Sequence, residues 1–337
     1  MKRIEWLDFA KGVTILFVVI VHVIEGMYKT GSFAQYNGFT HLAMGLLFTF
    51  VMPVFFALSG YLYKPVASGK QYRQRIMNKG INLLVPYVIF AVIYVTLQHF
   101  GGGNVHDMIS WTNLLLMFWD PIGYLWFLEI LFLIFVLVGA LDLLRLNWKI
   151  QLLVYTILFG ISLFVAMPWV PRLVLMWTLS FYLGYVFKQV PSLLDSRILF
   201  GLSVILLIVS FVWQMHLGGQ WFETNMFSKL NFVSKLASLY GVIYLYQHAK
   251  TSRGYQYFIK AGQWSLVIYL VHSPVTSILR TLLMKVGLTN YVALLIIILV
   301  ATWLISMLAA HLSERWQILR MIFYPTRWWA ERKFKTL

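Results

Sequence analysis

The sequence contains no cysteine and few charged residues, and each shortage excludes some classes of protein. Without cysteine there is no disulfide framework, no thiolate nucleophile and no cysteine-ligated metal site. Only 11% of the 337 residues are charged, whereas a soluble domain typically has about 25%. Acidic residues are the scarcer kind, with 11 Asp and Glu against 27 Lys and Arg. This composition argues against a soluble domain.

Apolar residues, by contrast, make up 61% of the sequence. They form repeated stretches of about 20 residues separated by short polar breaks, which is the pattern of membrane-crossing helices. We therefore predict an all-α polytopic membrane protein, a bundle of about ten transmembrane helices that forms a single domain over residues 1–337. The predicted spans are approximately 9–28, 39–62, 82–100, 123–143, 150–167, 172–188, 198–216, 232–249, 264–285 and 290–311. An aromatic segment at 104–122, after a glycine break at 101–103, is predicted to lie in the outer interface or to re-enter the bundle.

The basic residues are distributed unevenly between the two sides of this predicted bundle. All 27 Lys and Arg lie on the side of the N-terminus except Lys29, Arg172, Lys229, Lys235, Arg280 and Lys285. Because cytoplasmic loops are enriched in Lys and Arg, we predict that both termini are cytoplasmic and that residues 312–337 form a basic cytoplasmic tail. This topology explains the net charge of +16, so we expect membrane lipids as partners and no nucleic acid.

The first predicted span carries two ionisable residues, Lys11 and His22, in an otherwise apolar run. Eleven helical steps bring the two side chains to within about 20° of one face, about 16 Å apart along the axis. Such groups are costly at membrane depth and usually face a cavity or a partner. His22 can exchange a proton at neutral pH, and Glu25 lies on the same face where it can orient the imidazole. The alternatives are a histidine merely hydrogen-bonded inside the bundle and a lysine that snorkels to the interface beside Asp8.

Other polar residues are candidates for binding roles. One predicted cytoplasmic loop has five basic residues and no acidic residue: Lys64, Lys70, Arg73, Arg75 and Lys79. This composition is explained either by the usual enrichment of cytoplasmic loops in Lys and Arg, which can bind anionic lipid, or by a site for a phosphate-rich cytosolic anion. His272 lies in a predicted span just before Pro274, which frees backbone carbonyls that the imidazole can bond. Glu129 follows Trp126 in the fourth span, and a carboxylate there needs a partner or a proton.

Five segments in order resemble the membrane-bound acyltransferase 3 family. Residues 6–12 followed by His22 resemble the family's motif of Arg or Lys, ten residues and His. Residues 53–61 resemble the end of its second helix. The series is completed by the stretch from Arg73 to residues 84–87, followed by residues 125–128 and residues 265–272. The match covers roughly residues 5–315, and the chain most resembles the stand-alone, fucose 4-O-acetylase-like branch.

The resemblance implies an O-acyltransferase of the bacterial plasma membrane. Such an enzyme moves an acyl group, usually acetyl, from cytosolic acyl-CoA to a hydroxyl of a cell-envelope sugar or glycolipid. Lys11 and His22 match the first-helix pair, with Lys in place of the commoner Arg. Lys79 begins a segment where many members have Arg-x-x-Arg, and Asn82 departs from that pattern.

These inferences assign a role to each candidate residue. His22 is predicted to be the catalytic base, acting directly on the acceptor or after forming an acyl-imidazole, with Glu25 orienting it. The donor is expected to be held by Lys11, Arg73, Arg75 and Lys79. The residues expected to line the substrate site are Trp126, Glu129 and His272. We expect acetyl-CoA as donor substrate, with no bound cofactor and no metal. The competing hypothesis is a proton-coupled transporter or flippase of a small molecule or lipid-linked sugar, with His22, Glu25 and Glu129 as proton-relay groups.

Overall fold

The computed structural model describes residues 3–101 and 108–329, and every regular element within them is helical. The helices are α1 (Glu5–Tyr28), α2 (Asn37–Tyr61), α3 (Gly69–Gly101), α4 (Asn113–Leu116), α5 (Trp126–Asp142), α6 (Trp148–Phe164), α7 (Trp169–Gln189), α8 (Arg197–Leu217), α9 (Phe232–Gln247), α10 (Arg253–Gln263), α11 (Ser265–Lys285), α12 (Tyr291–Arg315) and α13 (Gln317–Phe323). The last two glycines of the predicted break, the start of the aromatic segment and the end of the basic tail lie outside the described residues.

Among the described residues, eight helices are long and apolar enough to cross a membrane: α1, α2, α3, α5, α7, α8, α11 and α12. The remaining two predicted spans are also helical but shorter, with 17 residues in α6 and 16 in α9. The prediction of an all-α polytopic membrane protein is therefore confirmed. The cytoplasmic placement of both termini stays a prediction.

Helix α3 begins thirteen residues earlier than the predicted span, at Gly69 rather than 82. The Ser68 hydroxyl accepts a hydrogen bond from the Gln71 amide at 3.3 Å, which caps the first turn. The following residues are mostly Lys, Arg, Gln and Met, which favour helix. Most of the predicted basic loop is therefore the first turns of a helix, because hydropathy marks where a helix enters the apolar layer and not where it begins.

Helix α10 lies in a stretch that the sequence assigns to a loop. Its hydropathy is too low for a span, but its buried residues Tyr255, Ile259 and Gly262 recur at helical spacing. It packs closely on the N-terminal half of α1, since a Cβ at Gly12 would overlap the Phe258 carbonyl and one at Gly262 would overlap the Asp8 carbonyl. Small residues allow such close backbone contacts between helices in membranes.

Hydrogen bonds connect helices α2 and α9 near Pro53 of α2. Pro53 has no amide hydrogen, so the Thr49 carbonyl one turn earlier loses its helical partner. The Ser238 hydroxyl of α9 lies 3.1 Å from that carbonyl oxygen. The fully buried ammonium of Lys235 donates to the neighbouring Phe48 carbonyl at 2.7 Å. These bonds satisfy buried polar groups and fix the position of Phe48, whose ring contacts His22 edge-on at 5.8 Å between centroids.

Candidate active site

His22 and Glu25 form a hydrogen-bonded pair on α1. The Nδ1 atom of His22 lies 2.9 Å from Oε2 of Glu25, and the other carboxylate oxygen, Oε1, lies 2.7 Å from Nζ of Lys29. A carboxylate only accepts hydrogen bonds, so it favours the tautomer that carries the proton on Nδ1. The Nε2 atom then keeps its lone pair. Because 25% of the His22 side chain is exposed, this nitrogen can act as a base toward a bound molecule.

A second imidazole, that of His272 on α11, packs against His22 with 5.2 Å between ring centroids. His272 is fully buried, and its Nδ1 donates to the Tyr269 carbonyl at 2.6 Å. Its Nε2 has no hydrogen-bond partner among the residues that the structure describes. His272 therefore packs against the His22 ring from within the protein interior.

The segment around His272 is held in place by two tyrosines. Pro274 leaves the Leu270 carbonyl without its helical partner, and the Tyr124 hydroxyl donates to that carbonyl at 2.6 Å. In return, the Tyr269 hydroxyl donates to the Tyr124 carbonyl. This reciprocal pair ties α11 to the turn before α5, and so fixes the wall behind His22.

His22, Glu25, Tyr124 and Tyr269 border a cavity of about 470 Å³ at the C-terminal end of α1, which we name the outer cavity. Its lining is both polar and aromatic, and includes His22, Glu25, Lys29, Tyr94, Asp120, Trp126, Trp169, Asn225, Tyr269 and Arg280. The described part of the aromatic segment, with Asp120 and Pro121, closes one side of the cavity. Such a lining offers flat apolar faces with hydrogen-bonding groups around them, which suits a polar organic ligand.

The predicted lining residues divide between the cavity and its surroundings. Trp126 lines the outer cavity, whereas His272 lies behind His22. Glu129 is not part of the lining of this cavity; it is 2% exposed and lies beside the Tyr87 hydroxyl. Glu129 is one turn further into α5 than Trp126, so it points into the packed interior.

A second cavity of about 530 Å³, the inner cavity, lies at the opposite end of the bundle, where α2 ends and α3 begins. Its lining includes Tyr63, Lys64, Arg75, Asn78, Lys79 and Asn82. Arg75 donates to the Lys64 carbonyl, and the ammonium of Lys79 lies 4.1 Å from the centroid of the Phe135 ring. Two predicted donor-binding residues, Arg75 and Lys79, are thus in one cavity.

The other two predicted donor-binding residues lie outside the inner cavity. Arg73 is exposed on a different face of α3. Lys11 is half-buried on α1, close enough to Lys79 for an electrostatic interaction. Asn82, where the sequence departs from the motif, accepts a hydrogen bond from the Thr326 hydroxyl at 2.8 Å and anchors the C-terminal segment.

Tyr63, which lines the inner cavity, is a neutral tyrosine. The Tyr63 hydroxyl donates to Asp142 at 2.6 Å. Burial, reinforced by this bond, raises the pKa of Tyr63 well above its ordinary value. Tyr63 therefore remains a hydrogen-bond donor at any physiological pH and holds α2 to α5.

The polar stripe of α11 is the part of the site that sequence reasoning missed. It lies at positions i, i+3, i+4 and i+7 of an otherwise apolar helix, and all four members line the outer cavity: Ser273, Thr276, Ser277 and Arg280. That helical spacing is visible in the sequence. From the sequence alone, Arg280 counts only as a basic residue on the side opposite the N-terminus. Within the described residues, no three His, Asp or Glu side chains group as metal ligands would.

Comparisons with known proteins agree with this architecture. The family model described as an acyltransferase domain of type 3 matches residues 4–311. The nodulation protein NolL of Mesorhizobium japonicum is 29% identical over 186 residues, 54% of this chain and 47% of the relative. NolL of Sinorhizobium fredii is 25% identical over 143 residues, 41% of this chain and 37% of the relative.

The aligned parts thus span about half or less of these curated relatives. No solved structure matches the chain. The family match covers nearly the whole described bundle, including both cavities and the His22–Glu25 pair. The chain therefore belongs to the membrane-bound acyltransferase 3 family.

Proposed function

We propose that this protein is an integral-membrane O-acyltransferase that moves an acyl group, in the first instance acetyl, from cytosolic acyl-CoA to a hydroxyl of a cell-envelope sugar or glycolipid. The observation that carries the proposal is the His22–Glu25 pair, exposed in a polar cavity of an acyltransferase-family bundle. A base oriented by a carboxylate is what transfer to a hydroxyl requires.

The proposed step is direct transfer in the outer cavity. Nε2 of His22 takes the proton of the acceptor hydroxyl, and the oxygen forms a bond to the thioester carbonyl carbon. The carbonyl π electrons move to its oxygen, and Glu25 stabilises the imidazolium through Nδ1. The carbonyl then re-forms, the C–S bond breaks, and the imidazolium gives its proton to the departing thiolate of CoA. The products are the acyl ester and CoA thiol.

The inner cavity supplies a proposed site for the nucleotide end of the donor. Arg75 presents a planar fork of donors and Lys79 a point charge, which together suit phosphate groups. Lys11 on α1 is close enough to Lys79 for an electrostatic interaction and lies about 16 Å from His22 along the helix axis. An extended donor arm that passes Lys11 would bring its thioester to the outer cavity. Arg73, exposed outside the inner cavity, would act only at its entrance.

This arrangement requires that the inner cavity faces the cytosol, as the distribution of Lys and Arg predicts. The chain has no native cysteine, so single cysteines report topology without background. A cysteine at Lys70 should be shielded from an impermeant maleimide in intact cells, and one at Lys285 should be labelled. The reverse pattern would contradict the proposed orientation.

The proposal is tested by acyl transfer with the reconstituted protein. Liposomes containing the protein are given acetyl-CoA labelled in the acetyl group and glycans extracted from the cell envelope. We expect CoA thiol to appear only when glycan is present, with an equal amount of label in the glycan. Substrate flux that follows a proton gradient and ignores acetyl-CoA would instead support a transporter.

A further inference from the structure

The side chain of Arg280 crosses from α11 to α1 and lies against Gly26. A Cβ at position 26 would overlap Nη1 of Arg280, so glycine is what lets the guanidinium approach α1. Gly26 follows His22 by four residues, which places both on one face of α1, about 6 Å apart along the axis. The guanidinium therefore lies about one helical turn from the proposed base, at the wall of the outer cavity.

Within the described residues, no hydrogen bond or ion pair engages Arg280. The nearby carboxylate of Glu25 has one oxygen on His22 and the other on Lys29. The half-buried guanidinium interacts electrostatically with Glu25 and Tyr94, but neither of them accepts a hydrogen bond from it. Arg280 lines the outer cavity, so its hydrogen-bond donors are available there to a negatively charged group that forms during the reaction cycle.

We propose that Arg280 is a catalytic residue whose guanidinium stabilises the oxyanion of acyl transfer; this rests on the proposed function. When the acceptor oxygen, deprotonated at Nε2 of His22, bonds to the carbonyl carbon, the displaced π electrons place a negative charge on the carbonyl oxygen. That oxygen is one bond away from the carbon under attack, so it develops close to His22. A fixed cation one turn along the helix can donate to it. When the C–S bond breaks, the electrons return to re-form the carbonyl and Arg280 is unchanged.

The position of Arg280 favours this role over binding of a permanent anion on the acceptor. A group that recognises a remote anion can lie anywhere in the cavity, but a group that stabilises the oxyanion must lie beside the base. Gly26 is also needed for this position of Arg280, since any larger residue there would displace the guanidinium from α1. The two roles differ in kinetics, because oxyanion stabilisation raises kcat whereas ground-state binding lowers KM.

The experiment measures kcat and KM for acetyl-CoA-dependent transfer by Arg280→Ala, Arg280→Lys and Gly26→Ala. Loss of an oxyanion donor typically lowers kcat by about 10²–10³-fold, which we expect for Arg280→Ala with an acceptor KM close to wild type. Arg280→Lys keeps the charge without the fork, so its kcat should lie between Arg280→Ala and wild type. The matched control is Lys285→Ala, an exposed cation of the same helix, whose kinetics should be unchanged.

The decisive result is the coupling between the two positions. Gly26→Ala should lower kcat on its own but have almost no further effect in the Arg280→Ala background. Equal effects of Gly26→Ala in both backgrounds would overturn the proposal. So would an Arg280→Ala enzyme that keeps wild-type kcat and raises only the acceptor KM, which is the signature of anion binding. Wild-type protein that transfers no acetyl group would overturn the proposed function itself, and this inference with it.

Discussion

At the scale of single residues, the chemistry depends on one hydrogen bond, from Nδ1 of His22 to Oε2 of Glu25. It fixes the imidazole tautomer and offers a negative charge to the imidazolium that forms during proton transfer. The two residues are three apart on one helix, so the sequence alone predicts their contact. The approach of His272 and Arg280 depends on how α11 is rotated against α1. Residue spacing within one helix carries no information about that rotation.

Replacing Glu25 with glutamine tests this bond. The Glu25→Gln side chain is nearly the same shape but brings no charge, so the imidazolium loses its stabilising partner. We expect kcat for acetyl transfer to fall by about 10²–10⁴-fold, with little change in KM for either substrate.

The matched control for Glu25→Gln is Glu223→Gln, which alters an exposed carboxylate outside the cavity and should leave the rate intact. A Glu25→Gln enzyme with wild-type kcat would show that the carboxylate does not assist the base.

At the scale of helices, the site is held by polar groups that prolines release. Pro53 in α2 and Pro274 in α11 each leave a carbonyl without its helical partner, and a hydroxyl from another helix or turn donates to it. The sequence suggests that His272 bonds a carbonyl freed by Pro274, but His272 donates to the Tyr269 carbonyl, and the freed Leu270 carbonyl accepts from the Tyr124 hydroxyl. The donor that reaches the freed Leu270 carbonyl, Tyr124, lies far away in the chain. Sequence reasoning therefore locates the freed carbonyl but not its partner.

Removing the Ser238 hydroxyl tests how much such a bond stabilises the bundle. The Ser238 hydroxyl has one proton and lies 3.1 Å from the Thr49 carbonyl oxygen and 2.8 Å from that of Lys235, so Ser238→Ala removes a shared donor. A buried carbonyl left without a donor typically costs about 1–3 kcal/mol. We expect a lower midpoint of thermal unfolding in detergent.

In a Pro53→Ala background, the new amide at position 53 can bond the Thr49 carbonyl, so Ser238→Ala should then have a smaller effect. An equal loss of stability in both backgrounds would contradict this account of the contact.

At the scale of the whole molecule, the two cavities lie at opposite ends of the bundle. The inner cavity has Arg75 and Lys79, the outer cavity has His22 and Arg280, and Lys11 lies close enough to Lys79 for an electrostatic interaction. Apolar runs and the Lys and Arg distribution predict the helical bundle and the positions of Lys11 and His22 along α1. They do not predict the cavities, because a cavity is formed by several helices that meet through long-range contacts. The early start of α3 and the surface helix α10 also fall outside a hydropathy-based prediction.

His22 is the residue on which the proposed acyl transfer depends most. The transfer of labelled acetyl from acetyl-CoA to an envelope glycan by His22→Ala measures its role directly. General base catalysis is typically worth about 10²–10⁴-fold, so we predict a loss of at least this size. The control His216→Ala alters an exposed histidine of α8 and should transfer acetyl at the wild-type rate. A His22→Ala protein that inserts normally and still transfers acetyl at full rate would contradict the account.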